Sequence, residues 1–274
     1  MFYNESDVAA FRTAKFNFII VEEQNNLFTI KLNRPQKRNA FTPAMVEEIA
    51  YAMAYAQQQQ NIWCLLIDST GPIFCAGMDL NVFQNLELDL KNTTLPLPQR
   101  PVNLGEVFDG FTKPSIAKVH GAVMAGAFLI VCGCTFVVAS KSVEFSLPEV
   151  KRGIFPMQVL SSLLKVTSPR QALQMCILAE TYSAEQAKTL GIVSHLCTTE
   201  TIDETCHNLI ETVLSNSPNA INKGIAAYHA LEDISESERF SFLASRLDEL
   251  RNSADAAEGI AAFKEKRIPR WINS

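Results

Sequence analysis

From Gly121 to Ala139 the chain reads GAVMAGAFLIVCGCTFVVA, nineteen consecutive residues without a charge. A run of that length is near that of a membrane span. Its character, however, changes at Gly133. Ala122–Val131 is small and apolar and suits a helix, whereas Thr135–Ala139 is β-branched and strand-like. The Lys and Glu residues nearby do not form a membrane-flanking pattern. The run therefore reads as a buried helix followed by a buried strand. Upstream, Pro114 follows a turn-like segment, Ser115–Val119 reads as a short buried strand, and His120-Gly121 breaks it. Met124-Ala125-Gly126-Ala127 then falls at the helix start. A helix N-terminus presents unpaired N–H groups and partial positive charge. Gly126 carries no side chain there, so a ligand oxygen can approach the backbone. Such a turn can stabilise an enolate or oxyanion, although small residues serve equally well for close packing.

A second stretch has the same form. IFCAGMDL (Ile73–Leu80) follows the strand-like WCLLIDS (Trp63–Ser69), and Asp79 sits in the first turn of the helix expected after it. Its backbone N–H groups supply a second donor, and two such turns can converge on one oxygen. FCAGMDL, HGAVMAGAFL and EFSLPEVKRGIFP, in that order and spacing, resemble the enoyl-CoA hydratase/isomerase (crotonase) family. The resemblance runs from about Phe18 to Arg267.

The resemblance implies an α/β fold, a crotonase-like spiral of ββα repeats with a C-terminal helical segment. It divides the chain into a spiral core with the acyl-CoA site (1–200) and a C-terminal helical oligomerisation region (201–274), in which Glu258–Arg267 resembles the closing signature. It also implies a homotrimer or dimer of trimers. The oxyanion donors would be the backbone N–H groups of Met78 and Gly126, holding the thioester carbonyl of an acyl-CoA. Glu149 matches the second of the two glutamates of the family's hydratases. The first falls on Leu129, which can neither take a proton nor orient a water. The further acid of dienoyl-CoA isomerases falls on Met157, also apolar.

One carboxylate suffices to move a proton from C2 to C4 of a 3-enoyl-CoA, so Δ3,Δ2-enoyl-CoA isomerisation is favoured over hydration. Decarboxylation or another enolate reaction is the alternative among enzymes, and a non-catalytic acyl-CoA-binding subunit is the alternative outside them. Arg34, Lys37 and Arg38 lie in a loop that resembles the family's coenzyme A-binding turn, and Lys266 is near enough to the C-terminus to reach the nucleotide. Ala76, Asp79 and Leu129 join these as substrate-binding positions. Coenzyme A is then part of the substrate, with no separate cofactor and no metal.

Composition bounds the alternatives. Hydrophobic residues make up 47% and charged residues 19% of the 274-residue chain, which fits a folded globular protein. A net charge of −5 without a long basic run disfavours nucleic acid or an anionic membrane as partner. The seven cysteines include no CxxC pair, and the spacing of Cys132 and Cys134 suits packing better than zinc. With the polar, acidic stretch Met1–Ala10, which does not resemble a signal peptide, they lead to the expectation of a cytoplasmic protein. His120, His195, His207 and His229 form no constellation, and VHGAVMAGAF lacks the glycine spacing of a dinucleotide fingerprint.

Elsewhere the patterns are local. Phe16–Val21 and Leu27–Leu32 read as a hairpin turned at Glu22–Asn26. Thr42 caps and Pro43 opens a helix running to about Gln60. Trp63–Asp68 is a strand. Glu87–Gly105, with three prolines, reads as a mobile loop suited to covering a pocket and setting acyl specificity. Ser168-Pro169 and Ser183-Ala184-Glu185 start helices, Gly191 ends the latter, and Ile192–Leu196 is a strand. From Thr201 onward the apolar spacing is helical.

Overall fold

The computed structural model describes residues 2–273. Its strands are β1 (Ile19–Gln24), β2 (Leu27–Leu32), β3 (Cys64–Ser69), β4 (Ser115–Val119), β5 (Val123–Met124), β6 (Phe136–Ser140), β7 (Glu144–Ser146), β8 (Thr181–Ser183) and β9 (His195–Cys197). The helices of the core are α1 (Glu5–Val8), α2 (Pro43–Gln58), α3 (Leu80–Gln84), α4 (Leu104–Asp109), α5 (Phe128–Gly133), α6 (Met157–Leu163), α7 (Pro169–Leu178) and α8 (Ala184–Thr189). Four more follow: α9 (Ile202–Leu214), α10 (Pro218–Ala230), α11 (Arg239–Arg251) and α12 (Ala254–Glu265).

Two sheets organise the chain. The larger has the order β1-β2-β3-β4-β6-β9, parallel throughout except for the β1–β2 hairpin. That hairpin is tighter than the sequence suggests. Glu22–Gln24 continue β1, and only Asn25 and Asn26 turn, at φ 49° and 66°. Asn tolerates this left-handed conformation better than most residues. The smaller sheet has the order β5-β7-β8, with β5–β7 parallel and β7–β8 antiparallel.

The larger sheet is covered on both faces, which fits the mostly buried, apolar run of β2, β3, β4 and β6, while the edge strand β1 is largely exposed. On one side lies α2, buried over most of its circumference. Thr42 Oγ1 accepts the Met45 N–H at 3.3 Å, and Pro43 opens the helix where no N–H partner is needed. Phe11 stacks on Tyr55 of α2 with ring centroids 3.8 Å apart. On the other side Ile202, Cys206, Ile210 and Val213 of α9 pack against Cys64, Ile116 and Val138. Thus α9, although it follows residue 200, covers the core sheet. Helices α10, α11 and α12 instead pack largely on one another. Burial of Asp255 ties this cluster to the chain end: its carboxylate accepts from Ser217 Oγ (2.7 Å) and from the N–H groups of Ile272 (3.0 Å) and Asn273 (3.1 Å).

The nineteen uncharged residues divide as β5, a 3-10 turn at Ala125–Ala127, α5 and β6. The helix expected from Ala122 begins later because Val123 is drawn into a parallel bridge with Cys75. Among the described residues no helix is long and apolar enough to cross a membrane.

The stretch after α3 is irregular, as its prolines suggest, but it is tethered. Asp89 Oδ2 accepts the Ala44 N–H at 2.8 Å, Asn92 Nδ2 donates to Glu48 Oε1 at 2.6 Å, and Gln99 N–H donates to Phe2 O at 3.0 Å.

Candidate active site

The turn at Cys75–Asp79 is held between two chain segments. Phe41 N–H donates to Gly77 O (2.8 Å) and accepts at its carbonyl from Asp79 N–H (2.9 Å), a parallel bridge centred on Met78. In such a bridge the flanking peptides make the bonds, so the N–H of Met78 itself faces away from Phe41. On the other side Cys75 N–H donates to Ala122 O (3.3 Å) and Met124 N–H to Cys75 O (3.0 Å). The Cys75 thiol donates to Asn39 O at 3.1 Å and accepts the Gly77 N–H at 3.4 Å. Burial pushes that thiol up to about 12, so it stays protonated and structural. Asn39, buried and left-handed, donates through Nδ2 to Thr70 O (2.8 Å) and Ile73 O (2.9 Å) and thereby fixes the loop beneath.

Two unusual backbone conformations bring the donors together. Gly77 takes φ 85° and Ala125 takes φ 53°. A side-chain carbon at Gly77 would lie 2.9 Å from Gly126 N, and one at Gly126 would lie 3.7 Å from Met78 N. The two peptides are therefore neighbours. Among the described residues neither the Met78 nor the Gly126 N–H has an acceptor, and both residues line one cavity of about 520 Å³. Unpaired backbone donors beside a cavity are unusual, and two of them suit an oxygen that gains negative charge.

The smaller sheet sets the carboxylate against them. Met124 of β5 pairs with Ser146 of β7. Gly126 and Glu149 each follow their strand by a few residues and emerge at the same end of this sheet. Glu149 opens a 3-10 turn, Glu149–Arg152, immediately after Pro148. It lines the cavity, and its Oε2 is buried without a hydrogen-bond partner. Burial raises its carboxyl above the ordinary range and outweighs the opposing pull of its own N–H and of Arg152. A carboxyl in this condition exchanges a proton nearer neutrality.

Ala76, Met78, Gly126, Leu129, Glu149 and Arg38 all line this cavity. Leu129 is buried in the first turn of α5, and its Cδ2 lies 3.5 Å from where a side chain on Gly105 would be. The other expected site residues lie off the lining. Arg34 and Asp79 hold each other, Nη1 to Oδ2 at 2.7 Å, and Arg34 also donates to Ala40 O at 2.9 Å. Burial works against the Asp79 carboxylate, yet the bonds from Arg34 and the Asn81 N–H win and hold its carboxyl below the ordinary range. Asp79 also caps α3. Lys37 is exposed on a 3-10 turn at Pro35–Lys37, and Lys266 is exposed at the C-cap of α12.

Several lining residues are not among the expected substrate-binding positions, although Leu80, Ile154 and Phe155 lie within the motifs and Met157 is the position of the dienoyl isomerase acid. Leu80 and Phe83 come from α3, and Ile154, Phe155 and Met157 from the stretch after Glu149. None of 87–105 reaches the lining, so α3 takes the place expected of that loop. Arg152 and Gln158 add the remaining polar groups. Among the described residues no three His, Cys, Asp or Glu side chains group to hold a metal.

Known proteins share the family and fold of this chain. The profile of the enoyl-CoA hydratase/isomerase family matches residues 22–274. The mevalonyl-coenzyme A hydratase sidH of Aspergillus fumigatus is 30% identical over 252 residues, 90% of this chain and 91% of that protein. The 1,2-epoxyphenylacetyl-CoA isomerase of Escherichia coli is 29% identical over 272 residues, 93% of this chain and 98% of that one. Among solved structures, an enoyl-CoA hydratase from Mycobacterium tuberculosis superposes with a TM-score of 0.82 at 28% identity, covering 94% and 99% of the two chains. The chain belongs to the enoyl-CoA hydratase/isomerase family and has the crotonase fold. It is thereby a member of a superfamily of enzymes acting on CoA thioesters.

Proposed function

We propose that the chain shifts the double bond of a 3-enoyl-CoA to the 2-position. The thioester oxygen accepts hydrogen bonds from the Met78 and Gly126 N–H groups, which acidifies C2. Glu149 removes a proton from C2, and the electron pair moves onto the thioester oxygen as a dienolate. The dienolate collapses, C4 takes the proton back from Glu149, and the double bond now joins C2 and C3. Protein and substrate end with the protons they began with. The carrying observation is that Glu149 is the sole carboxylate on the cavity lining among the described residues, with Leu129 where a second acid would be needed to orient water. Arg38, at the same cavity, is the cation best placed for the coenzyme A moiety, with Lys37 and Lys266 further out. The working form is an assembly of identical copies, because α11 buries none of its residues and exposes Phe240, Leu243 and Leu247.

Hydration of a 2-enoyl-CoA is the second reading. The amide of Gln158 on the lining favours it, as does the hydratase named among the relatives. Product analysis separates the two. The enzyme is given a 2-trans-enoyl-CoA and a 3-enoyl-CoA, beside Glu149→Gln. Conversion of the 3-enoyl compound without hydroxyacyl product, lost in the variant, supports isomerisation. A 3-hydroxyacyl-CoA product supports hydration and sinks the first reading. Binding without turnover of either compound would make the protein an acyl-CoA-binding subunit.

A further inference from the structure

Three charged side chains line the cavity: Arg38, Glu149 and Arg152. Arg38 belongs to the oxyanion side, since its carbonyl accepts the Ala76 N–H at 3.0 Å. Arg152 belongs to the Glu149 side, at the other end of the same 3-10 turn. A 3-10 helix rises about 2 Å per residue, so the two Cα atoms stand roughly 6 Å apart along the wall. Among the described residues Arg152 makes no ion pair and no side-chain hydrogen bond, whereas Arg34, Arg100 and Arg267 each hold a carboxylate. The wall beyond Arg152 is Ile154, Phe155, Pro156 and Met157. Arg152 is exposed at the rim of the cavity, flanked by the partly open Ile154 and Met157, so its guanidinium is accessible to an anion that reaches that end. Its planar fork matches a carboxylate through two parallel hydrogen bonds. A purely hydrocarbon acyl chain laid along this wall would strip water from Arg152 and return nothing to it.

We propose that Arg152 binds a carboxylate at the far end of the acyl group, so that the preferred ligands are CoA thioesters of short dicarboxylic acids. The inference rests on reading the cavity as an acyl-CoA site. The reacting carbons lie at Glu149 and the terminal carboxylate at Arg152, so the carboxylate must stand beyond C4, as it does at C6 of a six-carbon diacid. This distance also keeps the two carboxyl groups apart. Pairing Arg152 removes the pull it exerts on Glu149 and leaves Glu149 a stronger base when such a ligand is bound.

The test is calorimetric binding of adipyl-CoA and hexanoyl-CoA, which match in chain length, to the wild type, Arg152→Leu and Arg152→Lys. Neither ligand requires turnover. The wild type is expected to bind adipyl-CoA about 10- to 100-fold more tightly, the range of a charge-assisted hydrogen-bonded pair. Arg152→Leu should abolish that ratio while keeping its affinity for hexanoyl-CoA, and Arg152→Lys should retain part of it. Equal affinities in the wild type, or an unchanged ratio in Arg152→Leu, overturn the assignment of Arg152 and leave the acyl-CoA reading standing. If neither thioester binds, both readings fail.

Discussion

Gly77→Ala tests the oxyanion turn directly. The residue takes φ 85°, where an L side chain costs about 1–2 kcal/mol. The added carbon would also lie 2.7 Å from Ala125 Cβ, 2.9 Å from Gly126 N and 2.9 Å from Met124 O. Two of those three atoms are backbone and cannot rotate away, so the peptides must separate. Overpacking of this kind adds about 1–3 kcal/mol. Gly153→Ala is the matched comparison: φ is 75°, but nothing lies within 4 Å of the added carbon. It carries the backbone cost alone. Urea unfolding should therefore rank Gly77→Ala below Gly153→Ala by about 1–3 kcal/mol, the steric part by itself. Separation of the Met78 and Gly126 peptides breaks their common aim, and loss of one oxyanion donor lowers kcat by about 100- to 1000-fold. The assay is kcat of Gly77→Ala in buffer without denaturant, with folding verified by circular dichroism. Retention of wild-type kcat by a folded Gly77→Ala protein would refute the placement of the two donors on one oxygen.

Glu149→Gln should lower kcat by at least about 100-fold, the smaller end of what a positioned proton-transfer group contributes. Because burial holds the Glu149 carboxyl above its ordinary 4.5, the folded state keeps a proton that the unfolded state has lost. Wild-type stability should therefore fall as pH rises from 4.5 through that raised value, and Glu149→Gln should lack this decline when urea midpoints are compared across pH. Lys113 behaves in the opposite sense. Buried, with Nζ donating to Ala56 O and Gln59 O at 2.6 Å each, it is lowered by burial to about 8 from 10.5. The unfolded state binds the extra proton between those values, so stability should climb across that window in the wild type and stay flatter in Lys113→Met. Light scattering should return a mass that is a multiple of 30.4 kDa, reduced by Phe240→Glu with Leu247→Glu. A single-chain mass for the wild type would remove the assembly from the proposal.

Local chemistry was readable in the chain where a single segment decides it. Thr42-Pro43 and the Ser183–Gln186 capping box mark helix starts because cap and helix lie within four residues. The α2 helix and the central strands β3, β4 and β6 carry their burial in their own composition. What escaped depends on partners distant in sequence. Arg34 reads as part of a coenzyme A-binding loop, and nothing near it in sequence marks Asp79 as its partner. The smaller sheet went unseen because β5, β7 and β8 have only two or three residues each, too short for any period to register. That sheet nonetheless aligns Gly126 with Glu149. Arg152, within VKRG, reads as an ordinary solvated cation, and only the assembled wall turns it toward a cavity.

The oxyanion turn draws on three segments, around Phe41, Met78 and Val123, joined by two parallel bridges across long intervals of chain. Contacts of such separation form late in folding, because loop closure must precede any gain from them. A growing chain that has not yet emitted Val123 has no second donor, however complete its first hairpin. Recovery of activity during refolding should thus lag the return of helical signal, and the time course of turnover becomes a clock for the last step of folding.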